Sequence, residues 1–525
     1  MEAACIRYTD LPGSSRLFLD YQYAFEKVAR FYRHRPVMDE VQRSAREIQY
    51  PDDRRQALVA ALRAQNGSSP NLETLAQPGT VAIVTGQQVG LFSGPAYTIF
   101  KALTAVRVAR ELTKRGTPAV PVFWLATEDH DFAEISKAWV FNAADEPVSA
   151  SIEAPAGHDG PVGPIAIGQY PIAELKAALS GFDYASEVVG LVERAYQPGR
   201  PLGEAFRDLL RSLLAEYDIL YLDPLDPAIR QLGEPFLRDA ITKASELYPS
   251  VIARGKQLEE SGYHAQVLVE NQTSLFFLLE GNQRIPLKRQ GDRYLSKHGS
   301  FSSEDLATRA AHVSPNALLR PVMQDYLLPT AAYVGGPAEL AYFAQSEVLY
   351  TALLGRMPVM LARNGFTLLD PRSVKLMDRF GFTLPSLFAG GDGAIKDTIA
   401  ARIVPERIHA SVSHAKSEAT AALERLSRDL ADFDPSLSIA TAKSRAKILY
   451  QLDKIERKTA RETLRRDSRA TQDAAHLSNL LFPHKHLQER FYSILPFLAK
   501  HGPDLIGRIE ERTSVDCSDH QVLTV

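Results

Sequence analysis

Cysteine is nearly absent from this chain of 525 residues, with one residue at position 5 and the other at position 517. This excludes a Cys-x-x-Cys zinc site and a disulfide framework, because both need closely spaced or numerous cysteines. A catalytic thiol is also unexpected, since Cys5 and Cys517 lie near opposite ends of the sequence and a reactive thiol needs an activating environment.

Long apolar runs and a strong excess of one charge are missing as well. No run approaches the ~20 residues that span a bilayer, and residues 1–18 lack a basic segment followed by an apolar core. The net charge of −3 and the isoelectric point near 6.5 argue against a basic nucleic-acid-binding protein. We therefore expect a large cytoplasmic protein of about two to four domains that binds neither membrane nor nucleic acid.

Several common catalytic motifs do not occur. The sequence has no Gly-x-x-x-x-Gly-Lys-Ser/Thr loop, no Gly-x-Gly-x-x-Gly turn and no Gly-x-Ser-x-Gly elbow. P-loop enzymes, ordinary dinucleotide-binding enzymes and α/β-hydrolases therefore lose support. For the same reason we expect Ser93 to be a turn or ligand-contact residue rather than a nucleophile.

What the chain does contain is a glycine-rich turn directly after an apolar run. Residues 81–84 predict a buried strand, and Gly86, Gly90 and Gly94 relax the backbone before Pro95, which suits the first turn of a helix. A turn of this kind leaves N–H groups pointing outward, which predicts a seat for a carboxylate or phosphate.

A second strand and an acidic stretch follow the helix. The continuous apolar run at 120–126 is typical of a strand buried on both faces of a parallel sheet. Thr127-Glu128-Asp129-His130-Asp131 comes directly after it, and ligands of open α/β sheets bind at the carboxyl ends of the strands. The alternative is a solvated acidic loop, and the position after the strand favours a site.

The strand, glycine, proline and helix pattern returns later in the chain. Residues 330–334 lead into Gly335-Gly336-Pro337 and a new helix, so two helix N-termini are expected at one cleft. Another apolar run at 359–362 ends in Arg363-Asn364. Arg320 and Gln324 are four residues apart on a predicted helix and project from the same face.

The remaining segments predict insertions and a helical hairpin. Residues 143–204 are rich in Ala, Gly and Pro, and 219–222 predict a core strand. Short apolar runs between 265 and 295, the first of them Val267-Leu268-Val269, predict the strands of a small antiparallel meander that is a lid or faces the substrate. From about 394 the pattern is that of long helices broken at 434–435, which favours dimerisation through a coiled coil. His484-x-His486 has the spacing of a metal site but no third ligand.

Four sequence blocks together resemble the bacillithiol biosynthesis cysteine-adding enzymes: residues 85–112, residues 122–131, residues 320–325 with 335–339, and residues 488–490. Jointly these blocks are specific, whereas one glycine turn would be weak. The resemblance implies an α/β fold with a Rossmann-like parallel sheet core related to class I nucleotidyltransferases, inserted subdomains, a long coiled coil and a homodimer. It also implies joining of cysteine to glucosaminyl-malate as the last step of bacillithiol synthesis.

The expected division of the chain follows this resemblance. The core is predicted at 1–142 and 315–390, the inserted subdomains at 143–314, the helical coiled coil at 391–479, and a C-terminal segment returning to the core at 480–525. The chain departs from class I synthetases because it has neither a His-x-Gly-His turn nor a Lys-Met-Ser-Lys-Ser loop. This puts adenylate formation by the usual route in doubt.

The hypothesis for the chemistry is ATP-dependent activation of the cysteine carboxylate, as an adenylate or acyl phosphate, followed by attack of the glucosamine amine. A base must take the amine proton, oxyanion donors must stabilise the developing charge, and cations must hold the carboxylates and phosphates. Glu128 or Asp129 is the candidate holder of Mg²⁺ or of a substrate ammonium. The predicted catalytic residues are His130, Asp131, Gln87 and Gln88; the predicted substrate-binding residues are Gly90, Ser93, Gly94, Tyr97, Glu128, Asp129, Arg320, Gln324, Asp325, Gly335, Gly336, Glu339 and Asn364; and the predicted cofactor-binding residues are Lys101, Gln488 and Arg490, with no metal-ligand set.

Two other functions stay open from the sequence. One is an ATP-dependent ligase or nucleotidyltransferase of the same fold that acts on another amino acid or amine. The other is a non-catalytic scaffold in which the coiled coil recruits partners. An acidic stretch and two glycine-proline helix starts are difficult to explain by scaffolding alone.

Overall fold

The computed structural model describes residues 5–281, 283–517 and 519–525, with the backbone alone at 391 and 392. The first four residues of the N-terminal segment considered above, and Asn282 in the expected meander, lie outside that description. Residues up to Leu368 together with Glu489–Leu523 form one compact unit, and Leu369–Gln488 form a second. Among the described residues, no helix is both long enough and apolar enough to cross a bilayer.

The strands are β1 Cys5–Ile6, β2 Val81–Gln87, β3 Ala119–Leu125, β4 Lys137–Phe141, β5 Pro147–Ser151, β6 Leu220–Leu222, β7 Thr273–Glu280, β8 Gln283–Gln290, β9 Arg293–Ser296, β10 Gly299–Ser302, β11 Val313–Pro315, β12 Thr330–Gly335, β13 Val359–Ala362, β14 Phe366–Leu369 and β15 His520–Thr524. The α-helices are α1 Arg16–Tyr23, α2 Met38–Glu47, α3 Asp52–Asn66, α4 Pro70–Leu75, α5 Tyr97–Lys114, α6 Phe132–Ile135, α7 Ile172–Leu179, α8 Ala185–Ala195, α9 Leu202–Leu213, α10 Pro227–Thr242, α11 Ala244–Glu260, α12 Ser303–Thr308, α13 Arg320–Leu327, α14 Pro337–Leu353, α15 Pro371–Phe380, α16 Leu384–Ile403, α17 Glu406–Phe433, α18 Pro435–Arg466, α19 Ser468–Leu481, α20 Gln488–Phe491, α21 Leu495–His501 and α22 Leu505–Arg512.

The first unit is built on a parallel sheet in the order β13-β12-β2-β3-β6. Strand β3 is buried along its whole length and β2 along all but its last residue, as continuous apolar runs predict for a sheet covered on both faces. The expected α/β architecture with a parallel core is therefore confirmed.

One core of the first unit lies where α2 and α5 pack on this sheet. Val41 from α2 and Val108 and Leu112 from α5 are buried with Ile83 and Val334 from the strands. Each such side chain contributes about 1.5–3 kcal/mol through burial, so the helix predicted after the glycine turn is fixed mainly by this apolar face.

Strands β2 and β3 approach each other closely at one glycine. A Cβ atom on Gly86 would lie 2.8 Å from the backbone oxygen of Trp124, closer than a carbon atom can approach an oxygen without displacing it. Glycine at 86 therefore permits the pairing that brings Gln87 level with Leu125 at the end of the sheet.

The meander forms a separate antiparallel sheet in the order β10-β9-β8-β7-β11. The expectation that Val267-Leu268-Val269 adds a strand to it is wrong, because these residues lie in the loop before β7. The backbone N–H of Val267 donates to the Gln345 side chain, whose amide nitrogen donates back to the Val267 carbonyl. A side chain thus satisfies the groups that a strand partner would have taken.

A third sheet pairs segments from opposite ends of the sequence, in the order β1-β15-β14. Cys5 lies opposite Gln521 and Ile6 lies opposite His520 in antiparallel register. This pairing brings the sulfur atoms of Cys5 and Cys517 to 4.0 Å from each other. Their separation along the sequence did not predict this proximity.

The second unit contains two long helices, α17 of 28 residues and α18 of 32 residues. They are antiparallel, since Lys416 contacts Glu456 while Ser427 contacts Ser438. The predicted break lies at Asp434, whose side chain accepts from the backbone N–H of Ser436 and caps α18. Little of this hairpin is buried.

Candidate active site

A cavity of about 300 Å³ lies at the carboxyl ends of four neighbouring strands of the parallel sheet. Gln87 ends β2, Ala126 follows β3, Gly336 follows β12 and Arg363 follows β13. This is the edge at which open α/β sheets bind ligands. The cavity is lined by Gly86, Gln87, Gln88, Tyr97, Lys101, Trp124, Ala126, Asp129, Glu134, Ala317, Arg320, Tyr333, Gly336, Pro337, Ala338, Glu339, Tyr342, Arg363 and Arg490.

Lys101 is the buried cation at the floor of this cleft. Its ammonium lies 2.5 Å from a carboxylate oxygen of Glu339 and donates to the Gly86 carbonyl and to the Gln87 side-chain oxygen, each at 2.9 Å. Burial would raise the pKa of Glu339, but Lys101 and the N–H of Gly336 hold that pKa below its usual value. Burial lowers the pKa of Lys101, and Glu339 opposes that effect. The two side chains therefore neutralise each other.

Arg363 and Glu489 form a second neutralised pair in the wall of the cleft. Two parallel hydrogen bonds of 2.9 and 2.5 Å join the guanidinium to the carboxylate, and the two side chains are 4% and 1% exposed. Burial would raise the pKa of Glu489, but Arg363 lowers it below the usual value. The Glu489 carboxylate also accepts from the backbone N–H of Phe366, so it is fully engaged.

Arg320 and Arg490 also line the cleft, and within the described residues neither guanidinium has a carboxylate within ion-pair distance. Arg320 donates to the hydroxyl of Tyr342 at 2.8 Å and to the side-chain oxygen of Gln324 at 3.3 Å. Burial opposes its charge, but Tyr342 and other neighbours raise the pKa of Arg320 above its usual value. Arg320 therefore stays cationic and available to an anion.

Three of these cations lie around the ring of Tyr97. Arg363, Arg490 and Lys101 lie 4.9, 5.6 and 5.8 Å from its centre, within the range of cation–π attraction. The first turn of α14, a helix of 17 residues, lines the same cavity through Pro337 and Ala338. A helix N-terminus carries partial positive charge, so this side of the cleft favours anions.

The acidic side chains of the cleft lie around Gln88. Its amide nitrogen lies 2.8 Å from Asp129 and 2.6 Å from Glu134, so one donor group serves two carboxylates. Burial would raise the pKa of Asp129, but Gln88 and the backbone N–H groups of Asp131 and His130 lower it. Asp129 is therefore ionised at neutral pH and suited to an ammonium group.

His130 and Asp131, the predicted bases, do not line the cavity. Arg284 from β8 lies 3.0 Å from Nδ1 of His130; since a guanidinium can only donate, this nitrogen accepts and the ring proton is on Nε2. Burial and Arg284 lower the pKa of His130, and the basic lone pair on Nδ1 already accepts the hydrogen bond from Arg284. Asp131 accepts from the backbone N–H of Glu134 and caps α6.

We expect His130→Gln to lower kcat/KM by less than about tenfold, because His130 neither lines the cleft nor offers a free lone pair. Glu134 lines the cavity and contacts Gln88, so it is our candidate for the base in place of His130. On that assignment, Glu134→Gln should lower kcat/KM by about 10²–10⁴-fold, the contribution of a general base. Initial rates of the two variants, compared at equal protein concentration, test this assignment. A larger loss for His130→Gln than for Glu134→Gln would restore the histidine as the base.

The glycine turn after β2 lies behind the cleft. Gly90, Ser93 and Gly94 are buried, and three N–H groups of the turn are already bonded within the protein: Gly90 to the Gln88 carbonyl, Phe92 to the Tyr196 hydroxyl and Gly94 to the Leu91 carbonyl. Just after the turn, the N–H of Ala96 donates to the Tyr492 carbonyl. These N–H groups therefore do not form the seat for a carboxylate or phosphate that the sequence predicts. The positive φ angles of Phe92 and Ser93 are the conformation that lets the chain enter α5.

The other predicted site residues also lie away from the cavity. Glu128 is buried and accepts from the hydroxyl of Ser314 at 2.5 Å. Asp325 accepts from Gln324 and from the hydroxyl of Tyr350 in the core, and Asn364 bridges the backbone N–H and carbonyl of Ser514. Gly335 is the last residue of β12, and Gln488, in the second unit, donates to the Leu480 carbonyl. The predicted residues that do line the cavity are Gln87, Gln88, Tyr97, Lys101, Asp129, Arg320, Gly336, Glu339 and Arg490.

Sequence reasoning overlooked Arg363, Glu134, Tyr333 and Tyr342, all of which line the cavity. A usable signal existed for Arg363, because it directly follows the apolar run of β13, as the acidic stretch follows β3. The tyrosines carry no local signal, since their positions in β12 and α14 resemble those of ordinary core aromatics. In the described parts of the chain, no group of three or more His, Cys, Asp or Glu side chains is arranged to hold a metal ion.

Comparison with known proteins gives consistent matches along the whole chain. Residues 1–364 match the N-terminal Rossmann-like domain of bacillithiol biosynthesis BshC, and residues 366–525 match its C-terminal coiled-coil domain. Proteins that carry the name "Putative cysteine ligase BshC" align from Solibacter usitatus at 50% identity over 100% of both chains, and from Koribacter versatilis at 34% over 99% of both. A relative from Salinibacter ruber is 34% identical over 97% of this chain and 96% of its own.

Proposed function

The chain belongs to the BshC family of bacillithiol biosynthesis proteins, and from that premise we propose that it is a ligase that joins L-cysteine to glucosaminyl-malate through an amide bond. This reaction would be the last step of bacillithiol synthesis. The observation that carries the proposal is the cleft with two guanidinium groups, Arg320 and Arg490, that lack carboxylate partners among the described residues. Malate supplies two carboxylates.

The division of charge in the cleft supports the same substrates. Carboxylates would bind Arg320 and Arg490, since guanidinium groups form strong charge-assisted hydrogen bonds with them. The ammonium group of cysteine or of the amino sugar would bind near Asp129, whose lowered pKa keeps it charged. A cleft with separate cationic and anionic sides orients a substrate that carries both charges.

Amide formation needs a neutral amine, and we assign Glu134 as the group that removes its proton. Glu134 lines the cavity and contacts Gln88 at 2.6 Å, which fixes the position of its carboxylate. The amine nitrogen then attacks the activated cysteine carboxyl carbon, the new carbon–nitrogen bond forms, and the group activating that carboxyl carbon leaves with its bonding electrons. Gln87, whose amide nitrogen lies 3.2 Å from the Tyr97 hydroxyl, is the candidate donor to the oxyanion.

ATP fits the cationic side of the cleft. The first turn of α14, which lines the cleft through Pro337 and Ala338, would hold its phosphates, as helix N-termini do in other proteins. Lys101 would act through its charge alone, because its three donors are already bonded to Glu339, Gly86 and Gln87. ATP would supply the activation of the cysteine carboxylate. Asp129 is the candidate carboxylate for Mg²⁺, as an alternative to the substrate ammonium, because this ion usually takes one or two carboxylates together with substrate phosphates; Glu134 is kept for the proton transfer.

The test is mass spectrometry of the purified chain incubated with cysteine, glucosaminyl-malate and Mg²⁺, with and without ATP. We expect bacillithiol with ATP only, together with AMP or ADP. Omission of cysteine and replacement of glucosaminyl-malate by glucosamine are the controls. Product from another amine but not from glucosaminyl-malate would assign a different substrate, and nucleotide turnover without substrate binding would contradict the proposal.

We also propose that the protein is a cytoplasmic homodimer formed through the hairpin of α17 and α18. Large apolar side chains lie exposed on these helices: Leu426, Phe433, Leu437, Ile439, Ile448, Tyr450 and Ile455. A second copy would cover them, since helices expose apolar stripes mainly where another helix packs.

Replacing Ile439 and Ile455 by glutamate should convert the dimer into a monomer, because two charges would be buried in an apolar interface. Sedimentation equilibrium measures the mass directly. Leu268→Glu is a matched control, because Leu268 is 73% exposed in the first unit. A dimer that survives the double substitution would place the interface elsewhere.

A further inference from the structure

The two cysteines lie side by side where β1 pairs with β15. Their sulfur atoms are 4.0 Å apart, Cys5 is exposed and Cys517 is partly exposed. The side chain of Gln521 touches both: its oxygen accepts from the Cys5 thiol at 3.3 Å, and its nitrogen lies 3.8 Å from the Cys517 sulfur. A single amide group therefore holds both sulfurs in one place.

We propose that Cys5 and Cys517 are a modification site. Thiol–disulfide exchange with a low-molecular-weight disulfide would convert them reversibly into an intramolecular disulfide. The thiolate of the more exposed Cys5 attacks one sulfur of the small disulfide. This step forms a mixed disulfide on Cys5 and releases the other half of the small molecule as a thiol. The Cys517 thiolate then attacks the Cys5 sulfur and releases the second small thiol. Two protein thiols are oxidised, one small disulfide is reduced to two thiols, and two protons pass from protein to products.

The composition of the chain makes this pairing selective. The sequence holds only these two cysteines, so no third thiol competes within the molecule. A disulfide needs its sulfurs about 2.05 Å apart, so from 4.0 Å the two sulfur atoms approach each other by about 2 Å when the bond forms. Burial and the neighbouring Cys517 raise the pKa of Cys5, which suits slow exchange rather than nucleophilic catalysis.

The bond would join segments that support the wall of the cleft. The backbone N–H of Gln521 donates to the Gly365 carbonyl at 2.8 Å, and His520 contacts the Thr367 hydroxyl at 2.8 Å. Gly365 lies between Arg363, which lines the cavity, and Phe366, whose N–H bonds to Glu489. Oxidation therefore ties the start of the chain to the strand that packs behind this wall.

The experiment treats the full chain with oxidised glutathione under native conditions and analyses it by intact mass and by non-reducing tryptic mapping. We expect a mass lower by two hydrogen atoms with no retained glutathione. Trypsin cuts after Arg7 and Arg512, so the fragment ending at Arg7 should appear linked to the fragment beginning at Thr513. Reduction should separate the two. The midpoint of thermal unfolding should rise by ~2 °C or more on oxidation, as closure of a long loop stabilises the folded state.

The single variants Cys5→Ser and Cys517→Ser provide the controls. Each should retain at most one glutathione, form no linked fragment and show no rise in unfolding temperature. The proposal is overturned if the unsubstituted chain holds one glutathione on each cysteine without a link, or if the linked fragments come only from covalent dimers. Neither outcome depends on which substrates the cleft binds.

Discussion

Replacing Glu489 by glutamine should lower the free energy of unfolding of the first unit by about 3–5 kcal/mol, the usual cost of removing one partner from a buried ion pair. The Arg363 guanidinium would remain in a site where it is 4% exposed, with a neutral amide in place of its counter-ion. Arg363→Met combined with Glu489→Leu should recover most of the loss, because no unpaired charge is then buried.

Chemical denaturation followed by tryptophan fluorescence measures this effect. Both tryptophans, Trp124 and Trp139, belong to the first unit, so the signal reports the unit that contains the pair. The matched control is Glu73→Gln, which breaks the exposed ion pair with Arg63 and should cost less than about 1 kcal/mol. Equal losses for the two substitutions would show that burial of the Arg363–Glu489 pair has no energetic consequence.

The same pair predicts a dependence on pH. Because the pKa of Glu489 is lowered in the folded protein, its stabilising contribution is fully present above the unfolded value of about 4.3 and is lost as the pH falls through the folded value. The difference in stability between the unsubstituted chain and Glu489→Gln should therefore be constant near neutral pH. It should shrink below about pH 4.

In the proposed reaction, replacing Arg320 by glutamine should reduce kcat/KM for glucosaminyl-malate by about 30- to 4,000-fold. Loss of one hydrogen-bonded charge from a desolvated site usually costs 2–5 kcal/mol, and about 1.4 kcal/mol corresponds to a factor of ten. Arg320 is the cation to change, because Lys101 and Arg363 are already neutralised by Glu339 and Glu489. Its raised pKa keeps the effect present across the range in which the protein is folded.

Comparison of two substrates separates binding of the malate group from a general loss of structure. The unsubstituted chain should prefer glucosaminyl-malate to glucosamine strongly, and Arg320→Gln should reduce that preference while the rate with glucosamine stays nearly unchanged. Arg63→Gln is the control, since Arg63 is exposed and lies outside the cavity. An equal fall with both substrates would assign Arg320 to the architecture of the cleft rather than to recognition of malate.

The fold could be anticipated to a large extent because its signals are local. The apolar runs of β2 and β3, the glycines between β2 and α5, and the break at Asp434 each act within a few residues, and the structure has them as the sequence predicts. The strand expected at 267–269 failed for a tertiary reason, since a side chain on α14 bonds to Val267. Periodicity does not reveal a competitor that lies far along the chain.

The cleft could be located from the sequence, but its individual roles could not. The acidic stretch after β3 does reach the cavity through Asp129, whereas His130, the next residue, is held by Arg284 from β8. In the turn at Gly90–Gly94, the N–H of Phe92 donates to the Tyr196 hydroxyl, and just after the turn the N–H of Ala96 donates to the Tyr492 carbonyl. Each of these outcomes depends on a contact between residues far apart in sequence, which no local pattern records.

The wall of the cleft is completed by a segment that is synthesised after the whole second unit. A nascent chain that has emerged up to about residue 480 already contains Lys101, Arg320 and Arg363, but Glu489 is still inside the ribosome. The second unit is continuous in sequence, from Leu369 to Gln488, whereas the first unit needs residues from Glu489 onward. Domains usually fold in the order in which they are synthesised. Here the first unit begins before the second and is completed after it, so Arg363 has no Glu489 counter-ion until the whole second unit has been synthesised.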